Sequence, residues 1–511
     1  MFLHKSLNNS IFSILSYIIF GIFSFLERKV FLLYIDDIFL GYEGFFNNIF
    51  ELLLLIGAGL DIVVYYKLVK AYSEKDDREI NILFNIYKKI LTYLVILLSI
   101  ISIVIFVCCI NVLNIIPNDI YIVEVFVVLL VTFLIKQFIS LYRSIFIITQ
   151  DDYKYSIIDL VCNFCGLVLK LFILIIFKQY ILYILVSFFT SCLIVLFLKK
   201  RAKKDYLSFI KYTPVDINEI KSRKLNDDVK KNIVQKVSLA VYGGTDNILI
   251  TFIFGVNYIS KLSNFYLVSN ILNTSLCRLF DPVQPAIGQM IYKNNNEKNE
   301  WFSAFNWLGF VIGFFVCTFS YTMFNDFISL LFGKAYIIDN IYVLFNSINL
   351  FIAWNHKFLA YYRNAFGHYE LDQWFIFLGT FLNIIGSILF AIKFGIGGIM
   401  IGTVIGHLGF WIGRIIVVHK VYLFKSCADY LSSQIKYLII MIIQLCFINT
   451  FFSEGVESWS KFVFKNIIEL FCSIVFLFSG FLIMGERNNN IRYFNMFKKE
   501  LITPNNTHNN I

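Results

Sequence analysis

Residues 11–35 read IFSILSYIIFGIFSFLERKVFLLYI, a long apolar run that contains three adjacent charged residues. A helix of about 20 apolar residues crosses the hydrocarbon core of a bilayer. The run is therefore long enough to span a membrane, but charged groups inside a span are costly and mark functional sites. We predict that this run is the first membrane span and that the charges Glu27, Arg28 and Lys29 have specific partners.

The composition of the whole chain agrees with a membrane protein. Of its 511 residues 59% are hydrophobic, 15% are charged, and the mean hydropathy is +0.73. A soluble protein of this length carries roughly 25% charged residues. Spanning structures must satisfy their own backbone hydrogen bonds, and the period-2 pattern of a barrel is absent, so we predict an all-α polytopic membrane protein.

The apolar runs predict about fourteen transmembrane helices. We place them near 10–34, 45–66, 88–113, 119–142, 155–177, 179–198, 233–254, 262–287, 303–324, 336–360, 372–393, 396–419, 433–452 and 462–484. The predicted domains are an N-terminal six-helix lobe (1–198), a basic cytoplasmic linker (199–232), a C-terminal six-helix lobe (233–420), two extra helices (421–485) and a cytoplasmic tail (486–511).

Lysine and arginine in the loops predict the orientation. With the N-terminus in the cytoplasm, 33 of the 44 basic residues lie in cytoplasmic segments and six in external loops. This bias follows the positive-inside rule and predicts that both termini are cytoplasmic. The net charge of +10 is explained by these loops, so we expect no nucleic-acid partner. The densest basic run, which starts at Lys199, is interpreted as an anchor to anionic lipids or as a segment that recruits substrate.

Polar residues recur on single faces of several predicted spans. At about 100° per residue, each of the following sets lies on one face. They are Ser13, Tyr17, Gly21, Ser24 and Arg28; Asn47, Glu51, Ala58, Asp61 and Tyr65; Lys136, Ser140 and Arg143; Asp159, Asn163, Gly166 and Lys170; Ser238, Tyr242, Thr245 and Asp246; and Asn270, Thr274, Cys277 and Asp281, with Arg278 beside them. Pairing between helices would explain individual residues, whereas a water-filled central cavity would explain all the stripes together.

Patterns typical of enzymes are not found in the sequence. There is no G-x-x-x-x-G-K-[ST] loop for a nucleotide. His356, His368 and His407 lack metal-ligand spacing, and the ten cysteines lie almost all in apolar runs as small fillers. The glycine-rich stretch GIGGIMIGTVIG (395–406) lies in a span, where small residues allow close helix packing. We therefore expect neither a metal nor a catalytic centre.

Several stretches together resemble one family of transporters. LGYEGFFNNIFELL (40–53), YYKLVKAYSEKDDREINILFNIYKKI (65–90), YRSIFIITQDDYKYS (142–156), TDNILITFIFG (245–255), LSNFYLVSNIL (262–272), YRNAFGHYELDQW (362–374) and LNIIGSILFAIKFGIGGIMIGT (382–403) resemble, in this order, Wzx-type O-antigen and capsule repeat-unit flippases. These belong to the polysaccharide transport family of the multidrug/oligosaccharidyl-lipid/polysaccharide (MOP) exporter superfamily. The resemblance covers roughly residues 10–425.

The resemblance implies a fold, a substrate and a mechanism. It implies two six-helix lobes around a central cavity and alternating access. The substrate would be an undecaprenyl-pyrophosphate-linked oligosaccharide that moves from the cytoplasmic to the outer leaflet of the bacterial inner membrane. Arg28 lies where the family carries a first-span arginine. The sequence departs from the family pattern at IGAG (56–59), which replaces Ala-Glu-Leu-Gly, and at Asp151-Asp152, which replaces Asp-Gln.

We assign roles to the polar residues on this basis. Arg and Lys bind phosphate, so the candidate contacts for pyrophosphate or an anionic sugar are Arg28, Lys136, Arg143, Lys170 and Arg278. The candidates for hydrogen bonding or stacking on sugars are Tyr17, Asn47, Tyr65, Asn163, Tyr242 and Asn270. The candidates for charge balance or ion coupling are Asp61, Asp159 and Asp246.

The expected partners are the lipid-linked oligosaccharide, membrane lipids, and the polymerase and chain-length machinery that extends the polysaccharide. No cofactor is expected beyond a proton or sodium gradient. One alternative is an ion-coupled multidrug antiporter of the same superfamily, which would require an acidic and aromatic cavity. Another is a membrane-bound sugar polymerase or ligase, for which the predicted external loops are short.

Overall fold

The described part of the chain is helical and contains no β-strand. The computed structural model describes residues 17, 20–54, 64, 67–68, 71–72, 74–111, 119–149, 151–214, 225–281, 283, 287, 298–366, 371–424, 426–452 and 455–502. Asp61 and Tyr65, two of the predicted site residues, lie outside the described residues.

The first half of the chain contains nine helices with described bounds. They are α1 (20–34), α2 (Ile38–Leu53), α3 (Asp77–Asn111), α4 (Ile120–Ile148), α5 (Asp152–Ile176), α6 (Tyr180–Asp205), the short α7 (Leu207–Ile210), α8 (Leu225–Phe254) and α9 (Val256–Phe280). Both helices that flank the predicted linker (199–232) extend into it: α6 ends at Asp205 and α8 begins at Leu225. The charged residues at these two helix ends continue the helices beyond their apolar parts.

The second half continues with further helices. They are α10 (Lys298–Leu331), α11 (Asn340–Asn355), α12 (Lys357–Phe366), α13 (Gln373–Phe394), α14 (Ile396–Val417), α15 (Ala428–Phe451), α16 (Trp459–Ile483) and α17 (Arg487–Ile502), with a 3₁₀ turn at Lys334–Tyr336 and a π-helical segment at Val418–Leu423. Helix α17 lies in the predicted cytoplasmic tail.

Ten of the described helices are long and apolar enough to cross a membrane, namely α3 to α6, α8, α10 and α13 to α16. These ten correspond to ten of the fourteen predicted spans. The predicted spans 10–34 and 45–66 lie partly outside the described residues, and 262–287 corresponds to the more polar α9. The chain is a multi-pass membrane protein, as predicted.

The predicted span 336–360 is not one continuous helix. It is divided at His356, where the backbone leaves the helical region between α11 and α12. The His356 Nδ1 lies 2.6 Å from the carbonyl oxygen of Ile352, so this side chain bonds to its own preceding turn. Side chains that bond back to the helix backbone are a known cause of helix bending.

The chain forms two compact units. The N-terminal unit is Phe23–Ser260, and the C-terminal unit contains Lys261–Ile511 with the described residues of Met1–Ile22. Helix α8, which we predicted to open the second lobe, packs against α2 within the N-terminal unit: a Cβ on Gly244 would lie 2.8 Å from Leu52. The domain boundaries derived from the sequence remain a prediction.

Aromatic side chains fill the core of the N-terminal unit. Phe106 and Phe126 stack with ring centroids 3.9 Å apart, and Phe46 packs edge-on against both. Burying aromatic rings provides a large hydrophobic stabilisation and fixes the helices that carry them. This core holds α2, α3 and α4, from which several of the charged side chains project.

Glycines bring α13 and α14 together in the C-terminal unit. A Cβ on Gly398 would lie 2.1 Å from the carbonyl oxygen of Phe390, and one on Gly402 would lie 2.2 Å from the amide nitrogen of Ser387. No other residue fits at these two positions without moving a backbone. The packing role predicted for the glycine-rich stretch is therefore confirmed.

Candidate functional site

Glu27 of α1 connects three helices of the N-terminal unit. Its carboxylate lies 3.3 Å from the Lys170 ammonium of α5 and accepts a 2.8 Å hydrogen bond from the Tyr183 hydroxyl of α6. The Lys170 ammonium also lies 4.6 Å from the centroid of the Tyr183 ring. Lys170, which we predicted as a substrate contact, thus forms an ion pair between helices. For this residue, the structure agrees with pairing between helices, the first of the two interpretations given above.

Glu43 of α2 and Tyr180 of α6 extend this group. The Tyr180 hydroxyl donates to the Glu43 carboxylate at 3.3 Å, and its ring stacks on Phe39 with centroids 4.7 Å apart. Arg28 interacts electrostatically with Tyr180 and Tyr183, so the predicted first-span arginine belongs to the same group. We call Glu27, Arg28, Glu43, Lys136, Asp159, Lys170, Tyr180 and Tyr183 the α1–α6 charge cluster.

Lys136 of α4 is the exposed member of the α1–α6 charge cluster. It interacts electrostatically with Lys170, Glu43 and Asp159. Its side chain forms no ion pair within 4 Å of any residue that the structure describes, and it is exposed. A lysine next to three other charged groups lies on a polar face of the helix rather than against lipid. This exposed side chain is therefore a candidate contact for an anionic ligand.

Sequence reasoning missed Glu43, Tyr180 and Tyr183. Glu43 lies one helical turn before Asn47 on α2, so extending the predicted stripe by four residues would have included it. The two tyrosines lie at the start of α6, where no polar stripe had been noticed. Only the packing of α1, α2 and α5 against this end of α6 gives them their partners.

The other predicted residues of the N-terminal unit are more scattered. Arg143 lies with its guanidinium carbon 4.2 Å above the Tyr155 ring, apart from the contacts described above. Asn47 is exposed, and Asn163 is partly buried. Tyr242 and the buried Asp246 interact electrostatically on successive turns of α8.

A second group of polar side chains lies in the C-terminal unit. Lys357 of α12 lies 3.1 Å from the carboxylate of Asp281 and 3.3 Å from the Cys277 sulfur. The Tyr361 hydroxyl donates a short hydrogen bond to the same carboxylate. The last two residues of the predicted α9 stripe, Cys277 and Asp281, therefore contact α12. Their partners Lys357 and Tyr361 were not predicted.

Arg278, the predicted cation of the second lobe, is exposed on α9. Its guanidinium carbon lies 4.2 Å from the centroid of the Tyr17 ring. A cation over an aromatic face is an attractive arrangement, so the structure brings these two predicted residues together. Asn270, two turns earlier, is exposed.

The helix break at His356 belongs to a buried polar network. Arg363 and Asp372 form a two-pronged ion pair that is almost fully buried, with Arg363 Nε 2.9 Å from Asp372 Oδ2. Arg414 Nη1 donates to His356 Nε2 at 2.7 Å, and Arg414 Nε lies 3.7 Å from Asp372. Because arginine only donates, His356 must accept at Nε2 and carry its proton on Nδ1. We call Arg363, Asp372, Arg414 and His356 the α12–α14 network.

The histidines for which we predicted no metal-ligand spacing include His356 of this network and His407 beside it. No group of three or more potential metal ligands occurs among the described residues. The His407 Nδ1 lies 2.7 Å from Asn349 Oδ1, and its ring lies 4.8 Å from that of His356. These two histidines make hydrogen bonds within the protein, and His368 lies outside the described residues.

Charged residues also link helix ends in the N-terminal unit. The Lys154 ammonium lies 2.5 Å from Asp151 and 2.9 Å from Asp205, and Asp205 also pairs with Arg201. The hydrogen bond from Lys154 lowers the pKa of the Asp151 carboxyl. Through Lys154, Asp151 connects the start of α5 to the end of α6.

Comparisons with known proteins identify the fold. No family model matches the sequence, and no curated protein matches it. Among solved structures, the chain is similar to the inward-facing form of a multidrug resistance MATE family transporter of the MOP superfamily (TM-score 0.57, 13% identity, 77% of this chain and 94% of that chain). It is similar to the lipid II flippase MurJ (TM-score 0.57, 15% identity, 91% and 99%) and to the MATE transporter VcmN of Vibrio cholerae (TM-score 0.58, 13% identity, 83% and 99%).

These identities are low, so the likeness concerns the fold alone. The shared fold agrees with the architecture that the resemblance to MOP-superfamily flippases had implied. The chain has the all-helical fold of the MATE and MurJ transporters of the MOP superfamily.

Proposed function

We propose that this protein is a flippase. It moves an oligosaccharide linked to an isoprenoid pyrophosphate from the cytoplasmic to the outer leaflet of the bacterial inner membrane, by alternating access. A pyrophosphate and several sugars cannot cross hydrocarbon unaided, because each desolvated charge costs several kcal/mol, on the order of 3 or more. A polar surface inside the membrane replaces the water that these groups lose.

Lys136 is the observation that carries the proposal. It is exposed, has no ion-pair partner among the described residues, and lies in electrostatic range of Lys170. A phosphate group bound there would interact with both ammonium groups, and the Glu27 carboxylate beside Lys170 would keep that second cation in place. Ammonium groups bind phosphate as point charges.

The fold supports the same proposal. One of the similar structures is named a lipid II flippase, and that match covers 91% of this chain. The matches to the two MATE transporters cover 77% and 83%. The wider coverage of this chain by the flippase structure supports the proposal, although the TM-scores of the three matches are nearly equal.

The remaining parts of the proposal concern coupling and partners. A proton or sodium gradient drives the cycle only if the ion binds the two states with different affinity. Asp159 and Asp246, both in membrane-spanning helices, are the described carboxylates that we propose for such coupling. The partners are membrane lipids and the polymerase and chain-length machinery that receive the flipped substrate, and both chain termini lie in the cytoplasm.

A charge-removal series at Lys136 tests the proposal. Cells carrying Lys136→Ala should make normal amounts of the protein but at least about tenfold less surface polysaccharide, with lipid-linked oligosaccharide accumulating inside. Lys136→Arg should retain most activity, because the charge remains. The matched control is Lys393→Ala, which removes an exposed lysine at the end of α13. Wild-type polysaccharide levels in Lys136→Ala cells would refute the role of this cation.

An ion-coupled multidrug antiporter remains the second candidate. The observation in its favour is the balance of charges in the α1–α6 charge cluster, which contains three carboxylates (Glu27, Glu43 and Asp159) and three cations (Arg28, Lys136 and Lys170). Deleting the gene and measuring susceptibility to a panel of cationic drugs separates the two functions. Increased drug susceptibility with normal surface polysaccharide would favour the antiporter.

A further inference from the structure

A polar cavity lies at one end of the C-terminal unit. None of its lining residues belongs to the α1–α6 charge cluster or to the α12–α14 network. Its volume is about 250 Å³, and it is enclosed by α10, α15, α17 and the π-helical segment that follows α14. A water molecule takes up roughly 30 Å³, so the cavity has the volume of about eight waters. The exposed Ser426, Asp429 and Asn489 line its mouth.

Two buried amide side chains in the cavity wall have unused hydrogen-bonding groups. Asn306 of α10 is 5% exposed, and neither its Oδ1 nor its Nδ2 has a hydrogen-bond partner among the described residues. Gln434 of α15 is 3% exposed, and its Nε2 is likewise unpaired, while its Oε1 accepts from Asn355 at 2.7 Å. A buried polar atom without a partner destabilises the protein, so a ligand that supplies hydrogen-bond partners is favoured.

The wall also contains aromatic rings among its polar residues, and two of these rings are held in fixed orientations. The Tyr430 hydroxyl accepts a 2.9 Å hydrogen bond from the Trp411 indole nitrogen, and Tyr437 stacks on Phe310 with centroids 4.1 Å apart. Amides that both donate and accept match hydroxyl groups, which do the same, and flat rings provide apolar contact for the face of a sugar ring.

The charges of the cavity wall disfavour the binding of an anionic ligand. Among the described lining residues there is no lysine or arginine, and the carboxylates are Asp429 and Glu486. Burial opposes ionisation of Glu486, but the hydrogen bonds from Lys436 and Asn489 hold its pKa below the usual range, so it is charged at neutral pH. Lys436 already pairs with Glu486, so a phosphate or carboxylate ligand would meet the carboxylate of Asp429, with no lysine or arginine in the described lining to hold it.

We propose that this cavity binds a small neutral sugar, of about the size of one monosaccharide, at a site separate from the α1–α6 charge cluster. The ring hydroxyls pair with the amides of Asn306 and Gln434, and one face of the ring lies against the tyrosines. The site does not depend on the proposed transport function, because its argument uses none of the cluster residues.

Helix α17 forms one wall of the site. It follows Gly485, whose φ of +71° favours glycine, and it places Tyr493 in the cavity lining. Its outer contacts are an ion pair between Arg492 and Glu300 and the packing of Phe497 against Trp301. Trp307 lies 6.3 Å from the Tyr493 ring, so a ligand that displaces Tyr493 changes the surroundings of a tryptophan.

Binding to the purified full-length protein in lipid nanodiscs tests the site. The probes are glucose, galactose and N-acetylglucosamine, with inorganic phosphate as the anionic comparison, and the readouts are saturation-transfer NMR of the sugar and tryptophan fluorescence. We expect a saturable signal with at least one sugar and none with phosphate. Asn306→Leu, which keeps the branched side-chain shape and removes both hydrogen-bonding groups, should weaken binding about tenfold. The control Asn495→Leu changes an exposed amide on α17 outside the lining and should bind as the wild type does.

Two results would overturn the proposal. One is the absence of a saturable signal with every sugar for the wild-type protein, which would mean that the cavity contains water only. The other is equal affinity of wild type and Asn306→Leu, which would place any binding elsewhere.

A transport measurement on the same variants identifies the source of the sugar. If Asn306→Leu binds sugar weakly and also exports less polysaccharide, the sugar belongs to the transported oligosaccharide. If export is unchanged, the site binds a free sugar. Neither binding result depends on the outcome for Lys136→Ala, so failure of the flippase proposal and failure of this site are distinguishable.

Discussion

The α1–α6 charge cluster and the α12–α14 network both place charged residues inside helical units, yet their environments differ. In the network, Arg363 and Asp372 are at most 2% exposed and match each other with two hydrogen bonds. In the cluster, the side chains of Lys170 and Glu27 are 21% and 14% exposed, and Lys136 is exposed without an ion-pair partner among the described residues.

This difference suggests which charges are structural and which are candidates for a ligand site. A buried pair that satisfies its own hydrogen bonds has no capacity left for a ligand, and breaking it leaves an uncompensated charge. A cluster with one exposed cation that has no ion-pair partner among the described residues still has that capacity. The network therefore holds the broken α11–α12 helix against α14, whereas the cluster is the candidate for substrate binding.

The largest expected effect is the loss of the buried pair. Arg363→Ala should destabilise the protein by about 3–5 kcal/mol, because the Asp372 carboxylate would remain buried without its main partner. Thermal unfolding of the purified protein, followed by tryptophan fluorescence, measures the change. Arg363→Lys should be intermediate, since it keeps the charge and loses the two-pronged geometry.

The control for this prediction is an ion pair of the same kind at the surface. Lys334 and Glu457 lie 3.0 Å apart, with side chains 76% and 74% exposed, so Lys334→Ala should leave the unfolding temperature unchanged. Equal effects of Arg363→Ala and Lys334→Ala would show that burial does not distinguish the two pairs.

Removing Arg28 should affect transport more than stability. Cells with Arg28→Ala should make normal amounts of protein and at least about tenfold less surface polysaccharide, equivalent to about 1.4 kcal/mol or more in the transport step. Arg28→Lys should do less harm, because it keeps a cation beside Tyr180 and Tyr183. Polysaccharide at the wild-type level in Arg28→Ala cells would remove this residue from the anion site.

The Glu27–Lys170 pair should show a smaller, measurable coupling. A double-mutant cycle with Glu27→Gln and Lys170→Met should give a coupling free energy of about 1 kcal/mol in unfolding experiments, since the pair is only partly buried. Additive effects would mean that the two charges do not stabilise each other. A coupling free energy as large as the destabilisation caused by Arg363→Ala would mean that the α1–α6 charge cluster and the α12–α14 network do not differ in this respect.

The smallest expected effect concerns the link between α5 and α6. Lys154 lowers the pKa of Asp151, so the carboxylate adds stability above its ordinary pKa of about 3.9 and loses it as pH falls through the lowered value. Asp151→Asn should therefore cost on the order of 0.5 kcal/mol at pH 7, with the difference from wild type shrinking as the pH approaches 3. A difference that grows on acidification would contradict the assignment.

Much of the fold could be predicted from local sequence. Long apolar runs must be helices in a membrane, so ten of the predicted spans are found in the structure. The glycines at 398 and 402 were correctly assigned to close packing, because small residues in a span have few other uses. The break at His356 was missed, since its cause is a side-chain contact that no apolar period reveals.

The candidate site was only partly predictable. Helical periodicity predicted that Arg28, Lys136 and Lys170 lie on polar faces, and the structure brings these three residues into one group. It could not supply Glu43 and Tyr183, because each lies on a different helix and gains its role only when the helices pack. Periodicity reports which face of one helix is polar, not which helix lies opposite.

The sequence by itself determined that the chain crosses the membrane many times and which helix faces carry charge, because hydropathy and period depend on neighbours along the chain. Tertiary structure alone decided that Glu27 pairs with Lys170, that Lys136 stays unpaired among the described residues, and that Asn306 faces a polar cavity. These outcomes depend on contacts between residues far apart in sequence. The three charged residues of the opening run therefore have different surroundings. Glu27 pairs with Lys170 of another helix, Arg28 belongs to the candidate anion site, and Lys29 is exposed.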